Sequence, residues 1–231
     1  MNINELRNLI YSKTIEEQFT ILTRMFPGKV IFTTSLGIED QVLTDIIFKN
    51  NFDIEVVTLD TGRLFAETYK VFSETIIKYN KNIHAYFPDY LAVEKMVTEK
   101  GPFSFYESKG NRIECCRIRK VIPLTRALLG KKCWISGIRA TQSDDRSNME
   151  QLEYDKNRKL YKFYPLFDWS FDEVKKFIKE HNIPYNVMHD RGFVSIGCEP
   201  CTRAIKPDED FRSGRWWWEN DGPKECGCHI K

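Results

Sequence analysis

Four cysteines in two close pairs constrain the fold of this chain more than any other feature of its sequence. Cys115 and Cys116 are adjacent, and Cys198 and Cys201 form a C-x-x-C motif. Because the two pairs lie far apart in the sequence, only folding can bring them together, while each pair already fixes much of its own geometry. This arrangement is an economical way to build a site with four thiolates, which we call the cysteine quartet.

The spacing leaves three interpretations of the quartet open: metal ligands, a redox dithiol, or inert buried thiols. Disulfides are disfavoured, because the N-terminal residues lack the charged start and apolar run of a signal peptide. A chain of 231 residues with seven cysteines is also not a small disulfide scaffold. The spacing favours metal but does not separate zinc from an iron–sulfur cluster. We therefore expect a cytoplasmic, reducing location.

Composition excludes two classes of partner. Hydrophobic residues make up 42% of the chain, which is enough for one sizeable α/β domain. The formal net charge is only +2, with 35 basic and 33 acidic residues. This balance argues against a nucleic-acid-binding protein, which usually carries a strongly basic face. No apolar run is long enough for a membrane span.

Strand and helix patterns alternate along the chain, which predicts a mostly parallel sheet with helices on both faces. In one helix the adjacent cysteines should lie in the first turn, and Pro123 predicts a kink or break. We predict an α/β domain over 1–206 and a C-terminal tail over 207–231. The expected strands are 29–34, 54–59, 82–87 and 132–138, with a hairpin near 151–154 and 160–164. The expected helices are 3–26, 39–50, 64–79, 91–99, 113–129 and 171–181.

Three polar loops follow predicted strands and should therefore share one edge of the sheet, where such folds bind ligands. They are Ser35–Asp40, Asp60–Arg63 and Arg139–Met149. The first loop suits an anion but lacks the ending of a Walker loop. The third contains Arg139 and Arg146, which could grip phosphate or sulfate. The alternatives are an ordinary turn, a helix cap and a solvated charged loop.

The tail carries a second group of chemically informative residues. Arg212 and Arg215 stand beside three consecutive tryptophans, and exposed tryptophans in such a segment suggest docking. Cys226 is flanked by lysine and by His229, a setting that lowers a thiol pKa and favours a nucleophile. The alternative is an untidy terminus without function.

Six segments in order resemble one family: TTSLGIED, LDTGRLFAET, ECCRIRKVIPL, SGIRATQSDDR, GCEPCTR and KECGCH. Together they are similar to the iron–sulfur type of adenylyl-sulfate (APS) reductase, within the APS/PAPS reductase family. The resemblance implies the fold of adenine nucleotide α-hydrolases with a mobile C-terminal tail. It also implies a [4Fe-4S] cluster, held by Cys115, Cys116, Cys198 and Cys201. Related PAPS reductases lack these cysteines, so the resemblance favours APS, with PAPS or dual specificity as the alternative.

The same resemblance implies a mechanism in which Cys226 attacks the sulfur of APS, AMP leaves, and thioredoxin or glutaredoxin reduces the resulting S-sulfonate. The catalytic residues would be Cys226, His229 and Lys120. Arg139 and the Ser35 loop would hold the phosphate, Leu59 and Thr61 the adenosine. The full set of expected substrate contacts is Ser35, Gly37, Glu39, Asp40, Leu59, Thr61, Gly62, Arg63, Arg139, Arg146, Arg212 and Arg215. We also expect a homo-oligomer, although no sequence feature reports the oligomeric state.

Cys228 departs from the family pattern, which usually has a bulky apolar residue there. Either it packs as a small hydrophobe, or it is a resolving thiol that attacks the Cys226 S-sulfonate. Cys133, in a predicted strand, should lie in the core. Two rival classes remain: an ATP pyrophosphatase, which would want an intact Ser-Gly-Gly-x-Asp-Ser loop, and a zinc module that binds a partner through its tryptophans. The rival zinc module leaves the Cys226 segment unexplained.

Overall fold

The computed structural model describes residues 2–219 and 227–228, and within them a six-stranded sheet forms the centre of the molecule. The strand order is β3-β2-β1-β4-β6-β5, and every pairing is parallel except that between β5 and β6. The predicted α/β class with a mostly parallel sheet is confirmed. The strands are β1 Val30–Thr34, β2 Glu55–Leu59, β3 His84–Tyr86, β4 Cys133–Ile135, β5 Leu152–Asp155 and β6 Leu160–Phe163.

Helices cover both faces of the sheet because alternate strand residues point to opposite sides. Phe32 and Ile135 face a large core shared with α1, α2, α3 and α9, whereas Ile31 and Trp134 face a smaller core that includes α7. Cys133 lies in the large core, as predicted. The helices are α1 Ile3–Ile10, α2 Ile15–Met25, α3 Ile38–Lys49, α4 Ala66–Tyr79, α5 Tyr90–Lys100, α6 Lys109–Cys116, α7 Ile122–Ala127, α8 Asp144–Ser147 and α9 Phe171–Glu180.

The strand order reverses between β1 and β4. From β1 the chain proceeds to β2 on one side, while β4 pairs with β1 on the other. In open parallel sheets a crevice forms at the carboxyl ends of the strands at such a point. The loops that follow β1 and β4 therefore flank the position where a ligand is expected.

The single N-terminal helix predicted over 3–26 is wrong, because two helices occupy this range. Ser12 has a positive φ of 58°, which interrupts the helical path between α1 and α2. Thr14 then caps α2 through a capping box with Glu17. The polar residues between the two apolar stretches carried this signal.

The helix predicted over 113–129 is also divided, and it begins earlier. Ser108 caps α6, which ends with the cysteine pair in its last turn rather than its first. A π-helical turn over Arg117–Val121 follows, and α7 begins with Pro123 in its first turn. The expected break near Pro123 is thus present, and proline is tolerated there because the first N–H groups of a helix need no partner within it.

The end of the described domain agrees with the sequence pattern. β5 and β6 form the predicted hairpin. Ser170 caps α9 in a capping box with Glu173, as expected from its position before the periodic segment. No helix in the described part of the chain combines the length and the apolar character needed to cross a membrane.

Candidate active site

A cleft of about 190 Å³ opens at the carboxyl ends of β1 and β4. The loop after β1 contributes Ser35 and Gly37, and the loop after β4 contributes Ser136 and Gly137. Eight of the twelve residues predicted to contact substrate line this cleft: Ser35, Gly37, Glu39, Asp40, Leu59, Arg146, Arg212 and Arg215. Lys120, which was predicted to be catalytic, lines it as well. The switch point of the sheet therefore brings most of the predicted residues together.

Asp40 joins the two loops of the cleft. Its carboxylate accepts hydrogen bonds from the Ser35 N–H at 2.6 Å and from the Ser35 hydroxyl at 2.7 Å, and from the Gly137 N–H at 3.1 Å. A Cβ at Gly137 would lie 2.4 Å from Asp40 Oδ1, so glycine is required for this approach. Burial raises the pKa of Asp40 from 3.8 to about 6, partly offset by these hydrogen bonds. Its acceptor atoms are thus directed at the protein.

Arg139 does not line the cleft, although it was expected to hold phosphate. Its side chain is 1% exposed, and its Nε donates to Glu39 Oε1 at 3.0 Å. Its guanidinium also lies 5.4 Å from the rings of Phe171 and Phe211. Removing one member of such a buried pair leaves an uncompensated charge. The position of Arg139 is that of a structural partner for Glu39.

Among the described residues, four cations line the cleft. Arg146 comes from the sheet edge, where it donates to Gln142. Lys120 comes from the π-helical turn, and Arg212 and Arg215 come from the C-terminal part of the described chain. Arg212 Nη1 donates to the Ser195 hydroxyl at 3.4 Å. This charge suits a ligand that carries several negative oxygens.

Arg215 depends on a glycine beside it. Its Nη1 donates to the Ile196 carbonyl at 3.3 Å, and a Cβ at Gly197 would lie only 2.1 Å from Nη2. The guanidinium therefore lies directly against the backbone of the Ser195–Gly197 loop. Arg215 Nε is buried and has no hydrogen-bond partner among the described residues.

The Asp60–Arg63 loop turns away from the cleft and towards the quartet. Thr61 Oγ1 lies 3.3 Å from Cys198 Sγ, and the Arg63 carbonyl accepts from the Glu199 N–H at 2.8 Å. The Arg63 guanidinium lies 5.1 Å from the Phe105 ring. Thr61, Gly62 and Arg63 were expected among the substrate contacts, but none of the three lines the cleft.

The quartet is assembled around one internal cavity. Its walls include Cys115 and Cys116 at the end of α6, Cys198 and Cys201 from the C-x-x-C loop, and the cationic side chains Arg63, Arg112, Arg119 and Lys120. Burial and, to a smaller extent, the neighbouring Cys198 and Cys116 raise the pKa of Cys201 to about 12. Four thiolates in this setting need compensating positive charge.

The donors around the quartet fit an anionic iron–sulfur cluster with Cys₄ ligation. Arg63 Nη1 and Arg119 Nε are buried without a hydrogen-bond partner among the described residues. Such donors are suited to sulfur acceptors. Within residues 2–219 and 227–228, no group of three or more His, Cys, Asp or Glu side chains is arranged to hold a metal ion. The observed support for the cofactor is thus the cysteine set and its cationic surroundings.

Lys120 lines both the cleft and the cavity among the cysteines. The π-helical turn over Arg117–Val121 widens the helix locally, and in it Ile118 and Arg119 are buried. Turns of this kind are frequent at functional sites. The sequence prediction that Lys120 lies one turn from the cysteine pair agrees with this position.

The segment Phe211–Glu219, which we call the Trp segment, is packed rather than exposed. Trp216 is 1% exposed, and its backbone N–H donates to the Cys201 carbonyl at 3.2 Å. Trp218 packs on Tyr106, with ring centroids 4.4 Å apart, while Trp217 is 48% exposed. The expectation of exposed tryptophans is therefore wrong for Trp216, whose neighbours are residues of the quartet.

Sequence reasoning missed several residues that line the cleft. His189 lines it, and neither of its ring nitrogens has a hydrogen-bond partner among the described residues. Burial lowers the pKa of His189, against an opposing effect of the Glu39 charge. Trp134 lines the cleft and donates from Nε1 to Thr33 at 2.8 Å. Nothing in their local sequence marks these residues, because their shared position arises only from the fold.

The predicted catalytic residues Cys226 and His229 lie outside the described residues. Cys228 is described and is 5% exposed, in the smaller core with Ile31, Leu124 and Trp134. It also lines the cleft. This environment is the one expected for the packing interpretation of Cys228.

The sequence profile of the phosphoadenosine phosphosulfate reductase domain matches residues 29–204. The chain belongs to this family. A protein from Sinorhizobium fredii named adenosine 5'-phosphosulfate reductase is 50% identical over 203 residues, covering 88% of this chain and 81% of the relative. One of the same name from Allochromatium vinosum is 48% identical over 202 residues, covering 87% and 79%.

A solved structure shows the same fold. Phosphoadenylyl-sulfate (PAPS) reductase from Candida auris, in a phosphate complex, has a TM-score of 0.75 at 25% identity and covers 88% of this chain and 96% of that chain. The family and the fold inferred from the six sequence segments are thus confirmed. The matched range 29–204 includes the quartet and both loops of the cleft, and it ends before the Trp segment.

Proposed function

We propose that this protein is an adenosine 5'-phosphosulfate reductase, which converts APS to sulfite and AMP. Relatives of this name are close to 50% identical over most of the chain. The observation that carries the proposal is the position of Lys120, which lines both the cleft at the sheet edge and the quartet. Arg212 and Arg215 line the same cleft, as a substrate with adjacent phosphate and sulfate groups requires.

In the first step the Cys226 thiolate attacks the sulfur of APS. A bond forms between Cys226 Sγ and the sulfonyl sulfur, and the bond from that sulfur to the bridging oxygen breaks. AMP leaves with the electron pair, as a phosphate anion that needs no protonation. The product on the protein is a Cys226 S-sulfonate, the covalent intermediate of a two-step reaction.

In the second step a dithiol of the thioredoxin or glutaredoxin type supplies two electrons. One of its thiolates attacks Cys226 Sγ, sulfite leaves with the electron pair, and a mixed disulfide forms. The second thiol of the donor displaces Cys226, which returns as a thiolate. The donor leaves as its disulfide.

The cations of the cleft oppose the repulsion between a thiolate and the negative sulfate. Lys120, Arg212 and Arg215 offset this repulsion, which is largest when the attacking sulfur is closest to the sulfate. Arg146 and the Ser35 loop bind the phosphate side, with the loop geometry set by Asp40. His229 completes the site.

A [4Fe-4S] cluster held by Cys115, Cys116, Cys198 and Cys201 would supply fixed charge and rigidity beside the phosphosulfate rather than electrons. Arg63 and Arg119 would donate hydrogen bonds to its sulfur atoms. Cys201 of the quartet contacts the Trp segment directly, and this segment carries Arg212 and Arg215. The ligands of the cofactor would therefore help to hold these two cations at the cleft. The cytoplasmic location and the homo-oligomeric state remain predictions.

The test is an anaerobic assay of sulfite formation from APS with thioredoxin, combined with iron and sulfide counts. We expect about four irons per chain, and loss of sulfite formation in Cys226→Ser with the iron content unchanged. The control is Cys228→Leu, a second cysteine change close by in the sequence, which should retain both sulfite formation and iron content. A protein that forms no sulfite, or a Cys226→Ser variant that remains active, would contradict the proposal. One zinc per chain and no activity would support the binding-module alternative.

PAPS is the second candidate substrate, favoured by the likeness to the Candida auris PAPS reductase. It differs from APS by a 3'-phosphate, so the kcat/KM values for the two nucleotides separate the alternatives. We expect APS to be preferred. Equal values would make the enzyme a dual-specificity reductase.

A further inference from the structure

The Trp segment is joined to the C-x-x-C loop along its length. The Arg203 N–H donates to the Gly214 carbonyl at 3.0 Å, and Thr202 pairs with Arg215 in an antiparallel bridge. A Cβ at Gly214 would lie 2.3 Å from the Arg203 carbonyl oxygen, so this close approach requires glycine. The backbone from Gly214 to Trp216 therefore follows the loop that carries Cys198 and Cys201.

The segment ends in a buried ion pair with α6, the helix that carries the other two cysteines of the quartet. Glu219, the last residue described before 220–226, accepts hydrogen bonds from Arg112 Nε and Nη2, each at 2.8 Å. The two side chains are only 5% and 10% exposed. Arg112 lies on α6, in the turn before Cys115 and Cys116.

Arg112 also contacts two further groups of this region. Its guanidinium lies 4.8 Å from the Trp216 ring, and the Glu219 N–H donates to the Trp216 carbonyl at 2.9 Å. The hydrogen bond to Glu219 and the charge of Cys116 both raise the pKa of Arg112. One side chain thus connects α6, the Trp segment and the quartet.

We propose that Arg112 and Glu219 are positioning residues for the reaction, because their ion pair fixes the point from which the chain continues towards Cys226. This inference rests on the proposed function, in which Cys226 is the nucleophile. Only six residues lie between Glu219 and Cys226 in the sequence. Because a chain of this length has a limited reach, a fixed position of Glu219 limits how far the thiol can lie from the cleft and raises its effective concentration there.

The alternative is a pair that contributes only to stability. A solely structural pair would change APS turnover in proportion to the folded fraction. A positioning pair acts on the attack by Cys226 and leaves APS affinity unchanged, since neither Arg112 nor Glu219 lines the cleft. Affinity and attack rate therefore separate the two roles.

The chain supplies a matched control. Arg203 and Glu209 form the same kind of two-point pair, with both contacts at 2.7 Å, but their side chains are 37% and 28% exposed. Glu219→Gln and Glu209→Gln are thus identical changes in a buried and an exposed pair. Exposed pairs contribute little to stability or geometry.

The experiment measures single-turnover formation of the Cys226 S-sulfonate from APS by mass spectrometry, on protein with its full iron content. We expect Glu219→Gln to slow this step by about 100-fold, the size of effect that follows from misplacing a reacting group by about 1 Å. APS affinity in a Cys226→Ser background should be unchanged. Glu209→Gln should alter the rate by about twofold at most.

Hydrogen exchange provides a readout that needs no activity. In Glu219→Gln, the backbone amides of 216–219, which lie beyond Arg212 and Arg215, should exchange faster than in wild type, whereas Glu209→Gln should leave them unchanged. Glu219→Asp, which keeps the charge on a shorter side chain, should recover part of the rate, and it also serves as the second variant if Glu219→Gln fails to fold.

Three results would overturn the inference: S-sulfonate formation as fast as in the Glu209→Gln control, a parallel loss of APS affinity, or unchanged exchange over 216–219. Loss of iron in Glu219→Gln would assign the pair to cofactor retention instead. Failure of the proposed function gives a different result, because wild-type protein would then form no S-sulfonate from APS. The exchange experiment would still report whether the pair anchors the segment.

Discussion

The two sides of the cleft differ in how their charged groups are paired. At the sheet edge, charged groups are satisfied within the protein: Asp40 accepts hydrogen bonds from Ser35 and Gly137, and Glu39 pairs with the buried Arg139. On the side of the quartet, Lys120, Arg212 and Arg215 line the cleft. The sheet edge therefore fixes the shape of the site, and the quartet side supplies most of the positive charge for an anionic substrate.

The largest expected effect comes from breaking the ion pair at the sheet edge. Arg139→Met should lower the free energy of unfolding by about 3–5 kcal/mol, because Glu39 would remain buried without its partner. In a thermal melt this corresponds to a fall in Tm of roughly 10 °C. APS affinity of the protein that remains folded should change little, since Arg139 does not line the cleft.

Two variants control for the Arg139 experiment. Arg203→Met removes an arginine from an exposed pair and should leave Tm almost unchanged. The double variant Arg139→Met/Glu39→Gln should recover part of the lost stability, because it removes the uncompensated charge. An Arg139→Met protein with normal Tm but without APS binding would instead support the phosphate-binding role implied by the family resemblance.

The raised pKa of Asp40, at the same edge of the sheet, should make the stability of the protein depend on pH. Its pKa is raised from 3.8 to about 6 by burial. Between these values the folded protein keeps a proton that the unfolded chain has lost, so stability should fall as pH rises through this window and stay constant above it. The shift of about two units corresponds to about 3 kcal/mol.

The Asp40 prediction is tested by comparing wild type with Asp40→Asn. The free energy of unfolding of the wild type, relative to that of Asp40→Asn, should decrease from pH 4 to pH 6 and then level off. Carbon-13 NMR of labelled aspartate side chains should show one resonance, absent from Asp40→Asn, that titrates near pH 6. A midpoint near 4 would contradict the effect of burial.

On the quartet side, the corresponding change is Lys120→Met, which removes the charge and keeps most of the side-chain volume. We expect kcat/KM for APS to fall by about 100-fold, the typical loss when one transition-state donor is removed. Iron content and Tm should stay near the wild-type values. Lys109→Met, at the exposed start of α6, is the control and should have no effect. Equal activities of the two variants would move the charge requirement to Arg212 and Arg215.

The same contrast explains how much could be predicted from the sequence. The loops after β1 and β4 are continuous with their strands, so a parallel sheet places Ser35, Asp40 and Arg146 at one edge. The loop after β2 obeys the same rule, yet it turns towards the quartet because Leu64 pairs with Cys198. That pairing joins two irregular segments, and no local pattern reports it.

Long-range partners account for the other differences. From the sequence, Arg139 is predicted to be an anion ligand. Its local sequence does not reveal its buried partner, because Glu39 lies in a different segment. Trp216 is predicted from the sequence to be exposed. Its burial depends on Phe105 and Cys201, which lie in other segments. Motifs thus identified many of the residues that line the cleft, while long-range partners decided which of the predicted residues line it.

Cys228 gives the smallest expected effect, and it decides between the two interpretations of this departure from the family pattern. The thiol lies in an apolar core with Leu124 and Trp134 at 5% exposure, which favours packing. Cys228→Leu should therefore retain sulfite formation within about threefold, because the family pattern has a bulky apolar residue at this position. The isolated S-sulfonate form of the wild type should release no sulfite until a reductant is added.

A resolving thiol would give the opposite result. Cys228 would attack Cys226 Sγ, sulfite would leave with the electron pair, and one disulfide per chain would form without any external donor. Stoichiometric sulfite from the wild-type S-sulfonate, absent in Cys228→Leu, would establish that route. It would also require Cys228 to leave its core position in each turnover, so the rate of release should then rise when the surrounding core is weakened by Leu124→Ala. Without such release, the burial of Cys228 makes it part of the wall of the cleft, and reduction of the intermediate depends on an external dithiol alone.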